Sequence, residues 1–140
     1  MATLTFSQEI DRPVADGFAT VADIGTFASR NPTIKSSRQL TSGERNGMRA
    51  EWQLKGFGAV TQELQRFESH RCMRIVPLMK SLGGGHRFTF TDLGDRTRVD
   101  HELEMIPKGV FKLMAPMMRR TGRMNLRATA DALKRYLERG

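Results

Sequence analysis

Residues 94–109, GDRTRVDHELEMIPKG, contain the change of periodicity that decides the fold. Before IPKG, every second residue points to one side of a predicted strand, and that side holds Val99, His101, Leu103 and Met105. After IPKG, apolar residues recur at helical spacing to the end of the sequence. The sequence therefore predicts an α+β fold in which a β-sheet is followed by one long C-terminal helix.

Upstream of this point, the same alternation recurs in a series of runs separated by turn residues. The runs with strand-like alternation are 34–42, 47–55, 58–67, 72–80, 85–93 and 96–106. The segments between them contain the Gly, Ser, Asn or Asp that tight turns need. Because TLTFSQEI, residues 3–10, also alternates, the predicted sheet is antiparallel and has seven strands.

Between the first strand and this meander, residues 11–32 change to helical spacing. Asp11 and Pro13 are typical of a helix opening. A second short helix is predicted over 24–29, and it must end before Pro32, because the residue ahead of a proline is disfavoured in helical geometry. We therefore expect two short helices after the first strand.

The C-terminal helix is predicted to be amphipathic and to kink or divide at Pro116, whose ring removes one backbone hydrogen bond. Its predicted apolar face holds Val110, Leu113, Met114, Met117, Met124, Ala128, Ala132 and Tyr136. Basic residues gather on the predicted opposite face: Lys112, Arg119, Arg123, Arg127 and Lys134. No other element is long enough to cover the apolar face of a curved sheet. The volume left between helix and sheet is the predicted ligand cavity.

Strand parity predicts the side chains that face this cavity. The alternation is clean in 47–55 and ambiguous in 58–67, where Val60, Gln62 and Leu64 share a side. The predicted cavity lining is Met48, Trp52, Leu54, Met73, Ile75, Phe88, Phe90, Val99, His101, Leu103, Met114 and Met117. Methionine is a flexible filler that suits irregular apolar ligands, although ordinary core packing explains these methionines equally well.

The candidate polar chemistry centres on histidine. His86 and His101 have inward parity on neighbouring strands, where an imidazole can act as general acid or base or bind a ligand carbonyl or hydroxyl. A buried histidine that only stabilises the fold is the competing interpretation. His101 is the stronger catalytic candidate and Asp92 a possible partner, but the sequence assembles no complete catalytic arrangement.

Size and composition limit the class of protein. At 140 residues the chain can bury a core without disulfides or metals, and we expect one domain over 1–140. Cys72 is the only cysteine, so no intramolecular disulfide can form. No secretory signal pattern and no run of about 18 apolar residues are present, so we expect a cytoplasmic protein without a transmembrane helix.

No cofactor or metal is predicted. The GGG at 83–85 lacks both the GxGxxG spacing and the lysine of a phosphate loop, and a hairpin turn explains it better. The sequence also has no HxxxH, CxxC or acidic calcium-loop spacing.

The positive charge is concentrated at the end of the chain. Residues 1–107 carry a net charge of +1, whereas residues 108–140 carry +7. We interpret this basic segment first as a solvated helix face, and second as a surface that contacts anionic membrane through Arg119, Arg120 and Arg123. Nucleic acid is disfavoured as a partner, because the segment lacks the exposed aromatics or recognition motif of such binders.

The segment GFATVADIGTFASRNPTI, residues 17–34, resembles the START-like superfamily of polyketide cyclases/dehydrases and lipid-transport proteins (SRPBCC). That superfamily's VFxxVxDxxxxxxWNP pattern is matched at Phe18, Val21, Asp23, Asn31 and Pro32, while Gly17 and Arg30 depart from it. LKRYLE at 133–138 is similar to the superfamily's LKxxLE ending. The resemblance implies a helix-grip fold, a curved sheet wrapped around the long helix with a hydrophobic cavity between them.

The predicted function is the binding of a hydrophobic small molecule in that cavity, such as a lipid, a fatty acid, or a steroid-like or polyketide compound. The alternative is a cyclase, dehydratase or isomerase that uses His101 and Asp92 on such a ligand. Binding is favoured over catalysis, and the sequence leaves enzymatic activity open.

Overall fold

A computed structural model of the protein describes residues 2–25, 34–41, 47–54, 58–68, 70–78, 82–107 and 109–139. These ranges contain seven strands and two α-helices, with the first helix between the first two strands and the second after the last strand. Their bounds are β1 Ala2–Ile10, α1 Val14–Ala22, β2 Ile34–Gln39, β3 Arg49–Leu54, β4 Gly58–Glu68, β5 Cys72–Pro77, β6 Leu82–Asp92, β7 Thr97–Pro107 and α2 Ala115–Arg139. A 3-10 helix, Gly109–Met114, leads directly into α2.

The strands form one antiparallel sheet in the order β1-β7-β6-β5-β4-β3-β2. The predicted seven-stranded antiparallel sheet is therefore confirmed. Consecutive strands from β2 to β7 are neighbours, and the first strand closes the other edge by pairing with the last. In the register next to the β1 edge, His101 of β7 stands between Phe6 of β1 and Phe88 of β6.

The first of the two predicted short helices is α1, which buries Phe18, Val21 and Ala22 against the sheet. The ring of Phe18 meets that of Phe90 edge-on, with 5.3 Å between centroids. The second predicted helix, over 24–29, begins with Ile24 and Gly25 in 3-10 geometry. Its other positions lie outside the described residues.

The helical segment changes type beside Pro116, as the sequence predicts. The 3-10 helix ends at Met114, and Pro116 falls in the first turn of α2, where a missing N–H leaves no hydrogen bond unmade.

The helix α2 lies against β1 and β7. The Gln8 side-chain amide donates to the Ala130 carbonyl at 2.8 Å, which ties α2 to β1. Within the described ranges, no helix is long and apolar enough to span a bilayer.

The face of α2 that packs on the sheet is not the predicted one. The buried side chains are Leu126, Thr129, Ala130, Leu133 and Leu137. The predicted face is instead open, with Leu113 88%, Met117 57%, Met124 66% and Tyr136 51% exposed. Residues two positions apart lie about 200° apart around a helix, so Met124 points away when Leu126 points inward. Ala128 and Ala132 are half-buried, and the side chains of Val110 and Met114 lie outside the described set.

Gly84 is needed where β6 approaches β7 most closely. Gly84 and Gly94 have nearly the same positive φ, 92° and 94°, so alanine is similarly strained at both. A β-carbon on Gly84 would clash with the backbone carbonyl oxygen of Glu104, whereas one on Gly94 would meet nothing within 4 Å. We expect Gly84→Ala to lower the free energy of unfolding by at least about 1 kcal/mol more than Gly94→Ala, measured by urea denaturation. Equal losses for the two variants would contradict the close approach.

Candidate functional site

The inner face of the sheet, the one that α2 covers, is the candidate site. Of the predicted lining residues, nine are buried: Met48, Trp52, Met73, Ile75, Phe88, Phe90, Val99, His101 and Leu103. Leu54 is half-buried and packs against the same core. Met117 is on the open side of α2 and does not belong to this surface, because the helix presents its other face to the sheet. Met114 lies outside the residues whose side chains are described.

Two histidines meet on this apolar surface, on the neighbouring strands β6 and β7. The Nδ1 atom of His86 lies 2.8 Å from the Nε2 atom of His101, which is a hydrogen-bond distance. The register produces this contact, because His101 pairs with Phe88, two residues along β6 from His86. The Phe88 and His101 rings stack, with 4.1 Å between centroids and 18° between planes. Phe88 therefore fixes the orientation of the His101 imidazole.

Burial keeps both imidazoles neutral at pH 7. Although part of the surface of His86 remains accessible, desolvation by the surrounding residues lowers its pKa to about 4. Burial, and secondly the proximity of His86, lowers the pKa of His101 well below the ordinary value of 6.5. A neutral imidazole has one donor and one acceptor nitrogen. One ring therefore donates its N–H to the other, and the tautomer decides which ring is the donor.

Two buried polar atoms on this side of the sheet have no hydrogen-bond partner among the described residues. They are Nδ1 of His101 and Oε1 of Gln62, and the two residues are 2% and 5% exposed. Gln62 stands on β4 between Val60 and Leu64, which are both buried. Because most buried polar groups in proteins are hydrogen-bonded, these two atoms each call for a hydrogen-bond partner that the described residues do not supply.

Two other candidate residues offer no polar group to this site. Asp92 is exposed at the end of β6, where its carboxylate accepts a hydrogen bond from the Gly94 N–H at 2.8 Å. It pairs with Thr97, four residues from His101 along β7, so its predicted catalytic partnership is wrong. The indole N–H of Trp52 is buried, but it donates to the Ile24 carbonyl at 2.9 Å. Trp52 therefore lines the site through its ring.

His86 and Gln62 join the site although the predicted lining omits them. Both have a sequence signal, since each occupies an inward position between apolar residues of the same parity. What parity does not reveal is the contact between His86 and His101, which depends on the register of two strands.

The outer face of the sheet has different chemistry. A depression of about 260 Å³ there is lined by Thr3, Arg74, Gly85, Arg87, Glu102 and Glu104. Its arginines face carboxylates across the strands, with Arg74–Glu104 and Arg87–Glu102 both at 3.7 Å. These solvent-accessible pairs balance each other's charge and leave no excess for a ligand. In the described part of the chain, no three His, Cys, Asp or Glu side chains are arranged to share a metal ion.

The class of protein follows from the sequence match and the fold together. Residues 1–138 match the family described as polyketide cyclase/dehydrase and lipid transport, and the chain belongs to that family. The START-like resemblance expected from residues 17–34 is thereby confirmed. A search of curated proteins gives no significant match.

Solved structures share the architecture over nearly the whole chain. A START superfamily protein from Mycobacterium smegmatis has a TM-score of 0.80 at 18% identity, covering 98% of this chain and 97% of its own. A protein from Thermus thermophilus has a TM-score of 0.80 at 14% identity, covering 97% of each chain. The Zhui aromatase/cyclase from a Streptomyces species has a TM-score of 0.68 at 14% identity, covering 99% of this chain and 98% of its own. At these identities the similarity shows the fold, a curved antiparallel sheet with a C-terminal helix.

Proposed function

We propose that the protein binds a hydrophobic small molecule between the inner face of the sheet and α2. A lipid, a fatty acid, or a steroid-like or polyketide compound has the required chemistry. The observation that carries the proposal is the pair of buried, unpartnered polar atoms, His101 Nδ1 and Gln62 Oε1, on an otherwise apolar surface. Family membership supports it, since the family's description includes lipid transport.

The two polar atoms restrict the ligand's functional group. Oε1 of Gln62 only accepts hydrogen bonds, so it selects a donor such as a hydroxyl. Nδ1 of His101 donates or accepts according to the tautomer, and a hydroxyl satisfies either form. A buried polar atom left unpaired costs about 1–3 kcal/mol, which a ligand hydroxyl recovers and a pure hydrocarbon does not. We therefore expect an apolar ligand that carries at least one hydroxyl.

Replacing His101 by phenylalanine tests this recognition. Phenylalanine keeps the stack on Phe88 and removes the nitrogens, so the dissociation constant of a hydroxylated ligand should rise about 3- to 10-fold, the value of one neutral hydrogen bond. The measurement is displacement of a bound fluorescent fatty acid by a long-chain alcohol and by the alkane of the same length. The alkane's affinity should not change.

Asp92→Asn is the matched control, because Asp92 lies outside the site and an asparagine oxygen can still accept the Gly94 N–H. This variant should bind both competitors like the unmodified protein. A second site variant, Gln62→Leu, should reproduce the selective loss for the alcohol. Equal weakening of alcohol and alkane in both site variants would contradict hydroxyl recognition. A protein that neither retains a ligand in native mass spectrometry nor binds the fluorescent fatty acid would contradict binding altogether.

The paired imidazoles favour a second candidate function, general acid–base catalysis on the bound ligand. Because burial lowers the pKa of both rings, each is neutral at pH 7 and one nitrogen is free to take a proton. Such chemistry suits a cyclase, dehydratase or isomerase, and the similar Zhui structure is an aromatase/cyclase. His101→Phe separates the two functions, since an enzyme loses turnover of its ligand at saturation, whereas a binding protein loses only affinity.

A further inference from the structure

The first half of α2 and the 3-10 helix before it carry exposed apolar and basic side chains together. We define the outer patch as Leu113, Met117, Met124, Arg119, Arg120 and Arg123, all of them exposed. Met117 and Met124 are two turns apart and so lie on one side of the helix, and Arg120 lies between them. Arg123 lies on the flank of this line, and Arg119, two residues after Met117, projects from the other side of the same exposed segment. Leu113, in the preceding 3-10 helix, is 88% exposed. Large apolar side chains this exposed and this close together are typical of an interaction surface.

Among the described residues, no carboxylate forms an ion pair with the arginines of the outer patch. Residues 105–130 contain six Lys or Arg and no Asp or Glu. Arg127 is paired with Asp131 at 3.4 Å and lies over the Phe6 ring, whereas the described ion pairs include none of the three arginines of the patch. The patch therefore combines apolar side chains that gain by leaving water with cations that gain by meeting anions.

We propose that the outer patch docks on the surface of an anionic lipid bilayer. At the headgroup boundary Leu113, Met117 and Met124 enter the acyl region while Arg120 and Arg123 contact lipid phosphates, as in amphipathic interfacial helices, and Arg119 adds to the positive potential of the same segment. Nucleic acid offers anions, but the apolar side chains of the patch are aliphatic and not the aromatic ones on which bases stack. A second copy of the chain, packed patch to patch, brings the arginines against their own counterparts without acidic residues to offset them.

Docking there brings one end of the proposed ligand site to the membrane. Leu126, one turn beyond Arg123, packs with Leu103 and Met105 on the inner face of the sheet. A β-carbon on Gly122 would crowd the Met105 sulfur at 2.7 Å, so the helix and the sheet are in close contact at this end. The patch and the ligand site use different residues, so either proposal can fail without the other.

Sedimentation with lipid vesicles tests the docking. The unmodified protein is expected to bind vesicles of phosphatidylcholine with about 30% phosphatidylglycerol, and to bind pure phosphatidylcholine far more weakly. The variant Arg119→Glu/Arg120→Glu/Arg123→Glu should bind the anionic vesicles at least on the order of 100-fold more weakly, since each basic residue near such a surface contributes about 5-fold. Leu113→Ser/Met117→Ser/Met124→Ser should also weaken binding, because its patch has lost the inserted side chains.

The matched control is Lys35→Glu/Arg71→Glu/Arg135→Glu, which makes the same change of net charge, from +8 to +2, at exposed positions outside the patch. It should keep most of the binding. Equal losses in the two charge variants would mean unspecific attraction and would overturn the proposal. Unchanged binding of the serine variant, or failure of the unmodified protein to bind anionic vesicles, would also overturn it. The proposal would be wrong as well if the patch variants lost nucleic-acid binding or dimerisation in place of vesicle binding. Displacement of the fluorescent fatty acid reports separately on the ligand site.

Discussion

Leu133→Ala is expected to lower the free energy of unfolding by about 3 kcal/mol, whereas Met124→Ala should change it by less than about 0.5 kcal/mol. Leu133 is 6% exposed and belongs to the cluster that joins α2 to Phe88, Phe90 and Val99. Truncating it removes buried apolar surface from this cluster and leaves space that the neighbouring side chains fill only in part. Met124 is 66% exposed, so its truncation removes few contacts.

Urea denaturation followed by tryptophan fluorescence measures both variants. Trp52 is the only tryptophan and is 2% exposed, so its emission reports the folded core directly. Leu137→Ala, on the same face as Leu133, should be costly as well, and Leu113→Ala should resemble Met124→Ala. A larger loss for Met124→Ala than for Leu133→Ala would mean that α2 packs through the face predicted from sequence.

The strands could be predicted well because their signal is local. In a strand with one buried face, alternation alone assigns each side chain to a side. Met48, Ala50 and Trp52 are all buried, while Arg49 between them is exposed. The six runs of the meander and the first strand all correspond to strands of the sheet.

The packing face of α2 could not be decided in this way, because the helix has two apolar lines on opposite sides. One contains Met117 and Met124, and the other contains Leu126 and Leu133. Periodicity detects that apolar residues recur, but not which line meets the sheet. The leucine line includes small residues such as Ala130, which permit close approach. The methionine line is left on the surface, in the outer patch.

The candidate site was partly predictable for a related reason. Parity placed His101 on the inner face, where it is 2% exposed. Its bond to His86 required the relative register of β6 and β7, which no single strand specifies. Asp92 failed as a candidate because inward parity was extended to the last residue of β6, where the strand ends and the carboxylate binds the turn instead.

Stability is expected to fall as the pH is lowered from about 6.5 towards 4, because the folded protein holds its two central histidines neutral. Above pH 6.5 the imidazole is neutral in both states, and the histidine contribution does not vary. Below it, the unfolded chain takes up protons that the folded chain excludes, since burial lowers the pKa of His86 to about 4. His86 alone should cost about 2 kcal/mol between pH 7 and pH 5, and about 3 kcal/mol by pH 4.

Carboxylates act in the same direction at the acid end of this range. Hydrogen bonds from Gln65 and Arg49 lower the pKa of Glu63, and the Asp11 backbone N–H and Lys134 lower that of Glu138, so their stabilisation is lost below the ordinary value of 4.5. The window between pH 7 and pH 5 therefore isolates the histidines.

Between pH 7 and pH 5, the double variant His86→Phe/His101→Phe, which keeps the aromatic stack on Phe88, should show a free energy of unfolding that hardly changes with pH in urea titrations. A flat profile in the unmodified protein, or the same slope in the double variant, would contradict the neutral buried pair on which ligand recognition and acid–base chemistry at this site both depend.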